Sequence, residues 1–268
     1  MTLKICSTCW PWDHNYFDPC DVADILVDLG ADEVCIRTPA YTQLYNPEWH
    51  DRLAKRARLR GIEVSIWPVI SLYYPEKQAQ AIKDAYARYQ PKRIVLDAER
   101  AWVLNYIANL PKFLTALGRM PVPVGLGSYR RASLHQDMHW QTWLKHTVNG
   151  EYVIDFQAAQ LYPIGWRKPK SWEFQFKTDI DSHEAEHIKA HRPDIPWLPF
   201  MPAFSEGKFL DTGEMWYPVV DGVAAAVDYM RARLGSRLLG FNVWSLDQDL
   251  LRDKRLKPLY EFWKNYTG

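Results

Sequence analysis

The sequence predicts a single-domain α/β chain, a parallel (β/α)8 TIM barrel spanning residues 1–268, and three observations carry that expectation. Strand-like runs alternate with helix-like runs eight times, at a spacing of roughly 33 residues. The length of 268 residues is close to the roughly 250 typical of such a barrel. No linker or low-complexity stretch divides the pattern. Parallel strands need helical crossovers, and eight of them close a sheet on itself. An open doubly wound sheet would place a glycine-rich phosphate loop after the first strand, where this chain has CWPWDHNYF.

Taken in order, apolar residues at strand spacing mark 3–9 (LKICSTC), followed by a helical period over 20–29 that Gly30 stops. EVCIR (33–37) is the second strand, 48–60 a helix ended by Gly61, and IEVSIWPVI (62–70) the third strand. Residues 76–89 read as helix and RIVLDAE (93–99) as strand four. The helix over 102–117 contains Pro111, which lacks an N–H and must kink or divide it. PVGLGSY (123–129) is strand five, 134–146 a helix, and 152–162 strand six. A mixed segment with a helix at 180–191 leads to strand seven (195–201), a helix at 219–234, strand eight (238–246) and a last helix at 256–265.

Composition excludes several function classes. With 33 basic and 32 acidic side chains the net charge is +1, so there is no field to attract nucleic acid or an anionic membrane. The start, MTLKICSTCWPW, lacks the basic and long apolar regions of a secretory signal, and no run is long enough to span a bilayer. The expectation is a cytosolic monomer, reaching a cell wall without a signal peptide if it is phage-derived. Cys6, Cys9, Cys20 and Cys35 crowd the first 35 residues, unlike a framework of disulfides, and are read as reduced thiols. Trp, Tyr and Phe make up 14% of the chain; such rings suit sugar faces as well as cores.

In a barrel of this kind the carboxyl ends of the strands build the active site. They carry Trp10, Trp12 and Asp13 after strand one, Arg37 after two, Trp67 after three, and Asp97 with Glu99 after four. Ser128 and Tyr129 follow five, Gln160 and Tyr162 six, Met201 seven, and Trp244 with Asp247 eight. Side chains alternate along a strand, so Asp97 and Glu99 face one side, and two carboxylates in one confined space do not both ionise easily. Glu99 is the candidate general acid, with Asp97 as its charged partner. The structural alternative makes Asp97 a buried acceptor and Glu99 a helix cap or a partner of Arg100.

This D-x-E at the end of the fourth strand resembles the chitinase-type glycoside hydrolases and the barrel-type muramidases of phage endolysins. DFQAAQLYP resembles the sixth strand of the chitinase-type enzymes and GFNVWS the eighth. The resemblance implies hydrolysis of a β-linked, N-acetylated polysaccharide, with Glu99 as acid/base. It also implies that Gln160 and Tyr162 contact the acetamido group and that Trp244 floors a sugar subsite. The nucleophile would then be the substrate's own N-acetyl oxygen, with Asp97 and Tyr162 holding the intermediate. Val95 and Lys92 stand where the longer chitinase signature has further aspartates, and STCW lacks the first-strand aspartate of the muramidases. Trp10, Trp67, Arg37, Tyr129, Met201 and Asp247 complete the expected substrate-binding set; no metal or cofactor is expected.

Two other readings remain open at this point. One is a catalytically silent carbohydrate-binding barrel. The other is a zinc metalloprotease built on His183, Glu184 and His187, a literal H-E-x-x-H with Glu206 beyond it. The polar surroundings of that motif point instead to a solvated outer helix.

Overall fold

A computed structural model describes residues 4–9, 17–38, 47–98, 105–161, 172–202, 220–244 and 254–266. Among them, eight strands form one sheet in which every pairing is parallel. The strands are β1 (Lys4–Cys9), β2 (Glu33–Thr38), β3 (Glu63–Pro68), β4 (Ile94–Asp97), β5 (Val124–Ser128), β6 (Phe156–Ala159), β7 (Phe200–Pro202) and β8 (Gly240–Trp244). Their order across the sheet is β6-β5-β4-β3-β2-β1-β8-β7. The two end strands also meet, through bridges Gln157 to Trp197 and Gln160 to Phe200, and the Leu161 N–H donates to the Phe200 carbonyl at 3.0 Å.

Between the strands run α1 (Pro19–Asp28), α2 (Pro47–Leu59), α3 (Pro75–Tyr89), α4 (Tyr106–Leu117), α5 (Trp140–Lys145), α6 (Trp172–Lys189), α7 (Val220–Leu234) and α8 (Lys257–Lys264). Local chemistry explains several ends. The Asp18 side chain accepts the Cys20 N–H at 2.8 Å to cap α1, and Pro19 fills its first turn, where no N–H is needed. Gly30 and Gly61 adopt φ of 69° and 77° just beyond α1 and α2, so the chain reverses there without a Cβ penalty. The helix expected over 134–146 is instead two 3-10 turns and the short α5, with His139 at φ 52° between them. Pro111 does not divide α4; the carbonyl it cannot serve belongs to Ile107, which is 65% exposed.

Alternation along the strands sorts two cores. Val34, Ile36, Ile66, Leu96 and Leu126 face outward and pack with Leu26, Leu53, Ile82 and Phe113 of the helices. Cys35, Trp67, Val95, Phe156, Ala158, Leu198 and Phe200 form a separate inner cluster. At the amino-terminal end of that interior, Arg93 pairs with Glu33 at 2.9 Å and the Ser65 hydroxyl donates to the same carboxylate at 2.5 Å. The Arg93 guanidinium also lies over the Phe156 ring, 5.9 Å from its centroid.

Candidate active site at the strand ends

Asp97 is the last residue of β4, shares the inward face with Val95, and is 6% exposed. Its main chain is held from both sides: the Ile70 N–H donates to its carbonyl at 2.7 Å, and the next residue, Ala98, donates to Gly127 at 2.8 Å. Gly127 is its register partner on β5, so the neighbouring inward position carries no side chain. Across the interior, Arg37 of β2 lies beside Trp67 of β3, its guanidinium carbon 5.5 Å from the ring centroid, and Trp67 meets Phe200 with centroids 5.9 Å apart. Arg37 and Trp67 thus stand near the carboxyl ends of their strands on the inward face, as Asp97 does, and all three are buried, a setting where charges act strongly.

Several expected site residues are placed otherwise. Met201 is fully buried in the outer core between sheet and helices, because its neighbour Phe200 takes the inward position. Tyr129 packs against the outer core and stacks on His135, ring centroids 3.6 Å apart and planes 9° apart. Trp67 does face the interior, but at 3% exposure it is a wall touched by Arg37 and Phe200. Gln160 follows β6, donating its N–H to the Ser128 carbonyl at 2.9 Å. Trp244 ends β8 in register with Pro202, and nothing of its side chain is described. Glu99, Tyr162, Trp10, Trp12, Asp13, Asp247 and Glu206 lie outside the described residues. Among residues the sequence reading passed over, Gly127, Phe200 and Asn242 occupy the interior; the alternation of glycines in VGLGS was the available signal for the first.

The H-E-x-x-H segment corrects a further expectation. Helix α6 is not solvated on every face: Asp179, His183, Glu186 and His187 are all buried. His183 donates from Nε2 to the Tyr129 carbonyl at 3.0 Å and packs against Trp140 and Trp197. His187 Nε2 meets Gln157 Oε1 at 3.4 Å. Burial pushes the His183 imidazole down to about 4 and depresses His187 as well, where the charges of His183, Arg237 and Arg192 add to the effect. Asp179 is pushed up by burial and pulled back by Arg130 and Arg131, which pair with it at 3.1 and 2.7 Å. Glu184 points elsewhere, into ion pairs with Arg233 and Arg237. Among the described residues no group of three or more His, Cys, Asp or Glu side chains is placed to hold a metal ion.

Cys20 and Cys35 are free thiols. Among the described residues no helix is long and apolar enough to cross a membrane.

No protein-family model matches this chain, and no curated protein sequence does. Solved structures do. The spore cortex-lytic enzyme SleL of Bacillus cereus superposes with a TM-score of 0.67 at 11% identity, covering 99% of this chain and 74% of SleL. An endo-beta-N-acetylglucosaminidase from Cordyceps militaris gives 0.63 at 12% identity, covering 100% and 90%. The chitinase ChiC from Aspergillus fumigatus gives 0.54 at 15% identity, covering 92% of each chain. At such identities the likeness establishes the fold alone: a parallel α/β architecture of the TIM-barrel type, which in these neighbours carries glycosidases.

Proposed function

We propose that this chain is a glycoside hydrolase acting on a β-linked, N-acetylated polysaccharide of the peptidoglycan or chitin kind. The observation that carries the reading is the placement of Asp97: a buried carboxylate on the inward face at the carboxyl end of the fourth strand, two residues before Glu99. The reading takes the bridges between β6 and β7 as the seam of a closed barrel, with the mouth at the carboxyl ends. That the fold neighbours include a spore cortex-lytic enzyme, a chitinase and an endo-beta-N-acetylglucosaminidase supports the substrate class.

In this mechanism Glu99 protonates the leaving glycosidic oxygen. The substrate's N-acetyl oxygen attacks the anomeric carbon, and Asp97 and Tyr162 hold the cyclic cation that forms. Two neighbouring acids in a confined mouth share one proton, which keeps Glu99 competent as an acid near neutral pH. Water, deprotonated by Glu99, then opens the intermediate. Gln160, Trp244, Trp10, Arg37 and Asp247 are assigned to substrate binding.

Clearing of bacterial wall suspensions and release from chitin oligosaccharides test the reading directly. Glu99→Gln and Asp97→Asn should each lower kcat by about 100-fold or more while the variants stay folded. Equal activity of Glu99→Gln and parent would remove the assignment, and binding without turnover in the parent would favour a silent carbohydrate-binding barrel.

A further inference from the structure

On the outer layer, ion pairs knit α1 to α2 and α2 to α3. Arg52 reaches Asp18 at 2.6 Å, Arg56 and Arg60 share Asp24 at 3.3 and 2.6 Å, and Arg88 grips Asp51 through two bonds of 2.9 and 2.5 Å. Among the described residues, Lys55 and Arg58 are the cations of α2 left without a carboxylate. Arg58 donates one N–H to the Tyr89 carbonyl, which answers the negative end of α3 and leaves the rest of its fork of donors unused.

Both side chains line a groove of about 550 Å³ between α2 and α3, together with Asp51, Leu59, Arg88 and Tyr89. Three cations thus face one carboxylate, and that carboxylate is already held by Arg88. Leu59, 71% exposed, gives the groove an apolar lip. Tyr89 is 1% exposed, and its buried hydroxyl makes no hydrogen bond. Burial pushes that hydroxyl up from its ordinary value, with Asp51 adding to the effect and Arg88 opposing it, so it stays protonated as a donor. A buried hydroxyl without a partner costs free energy; a groove that keeps one beside two unpaired cations is set for an acceptor carrying negative charge.

We propose that this groove binds a phosphate monoester, with Lys55, Arg58 and the Tyr89 hydroxyl on the phosphate oxygens and Leu59 against the apolar part of the ester group. A monoester carries a charge of about −1.5 to −2 at pH 7 and three strong acceptor oxygens, which match the excess of two positive charges and the three donor groups better than a carboxylate does. The groove lies at the carboxyl-terminal turns of α2 and α3, which lead into the starts of β3 and β4, at the end of the sheet opposite Asp97. It is therefore separate from the saccharide reading and stands or falls without it.

Calorimetric titration of the whole chain with phenyl phosphate, inorganic phosphate and benzoate tests the site. Phenyl phosphate should bind more tightly than either of the others. Lys55→Gln and Arg58→Gln should each weaken it by about 10-fold, the loss of one charge-assisted contact. Leu59→Ser should weaken phenyl phosphate and leave inorganic phosphate unchanged. Tyr89→Phe should weaken both phosphates by about 3- to 10-fold while the thermal midpoint of the unliganded protein stays level or rises, because the hydroxyl removed had no partner. A lowered midpoint in Tyr89→Phe would show that hydroxyl already serving the fold and overturn its role. No phosphate binding by the parent, benzoate binding as tight as phenyl phosphate, or phosphate binding unmoved in both Lys55→Gln and Arg58→Gln each overturns the site.

Discussion

At the residue scale, β5 shows how much a missing side chain decides. A methyl group on Gly125 would stand 2.2 Å from Cε2 of Phe156, whose ring fills the inner cluster at 2% exposure. Gly125→Ala is therefore expected to destabilise by about 1–3 kcal/mol, read as a lower urea midpoint with an unchanged m-value. At Gly127 the same methyl group would meet the Leu96 carbonyl at 3.0 Å and Val95 Cγ1 at 3.2 Å, pressing on the strand that carries Asp97. The place of Asp97 at the end of the fourth strand was legible from the apolar run IVL that precedes it. Met201 was misassigned by one position: the run IPWLPFM is apolar at nearly every residue, so its pattern does not say which of Phe200 and Met201 points inward.

At the scale of the element, α6 carries much of its buried stripe in polar residues: beside Phe176 and Ile180, Asp179, His183, Glu186 and His187 fall at helical spacing on one face. Each has a partner, in Arg131, the Tyr129 carbonyl, Gln141 and Gln157 respectively. A hydrophobic period cannot report such a face, so the sequence suggested solvent there and placed the helix start near 180, not at Trp172. The stripe has a consequence for acid stability. Both histidines are neutral in the fold and held below their ordinary value of 6.5, chiefly by burial, whereas the unfolded chain takes up protons as pH falls through 6.5. Stability is thus complete above that value and declines below it, by at most about 1.4 kcal/mol per pH unit for each histidine. For His183 the decline ends near its folded value of about 4. Denaturant titrations from neutral pH down to about 5 should show this loss, and His187→Gln, which can keep a polar contact to Gln157, should flatten the slope by about half. An unchanged slope would remove His187 from the account.

For the whole molecule, the order of the sheet was the most legible feature. Strand and helix periods alternate without interruption, and a parallel sheet leaves few ways to connect them. The pairing of Glu33 with Arg93 was not legible, since the two residues are 60 positions apart in the chain and share no local signal. Their side chains are 2% and 12% exposed, so removing one charge strands the other. Glu33→Gln should cost about 3–5 kcal/mol and be visible as a lowered thermal midpoint, with little effect on KM because the pair sits at the opposite end of the sheet from Asp97.

That ion pair, with Ser65 and Phe156, also stoppers the amino-terminal end of the interior. Among the described residues these buried groups stand between the amino-terminal end of the sheet and Asp97. On the saccharide reading proposed above, a glycan approaches Asp97 from the opposite, carboxyl end.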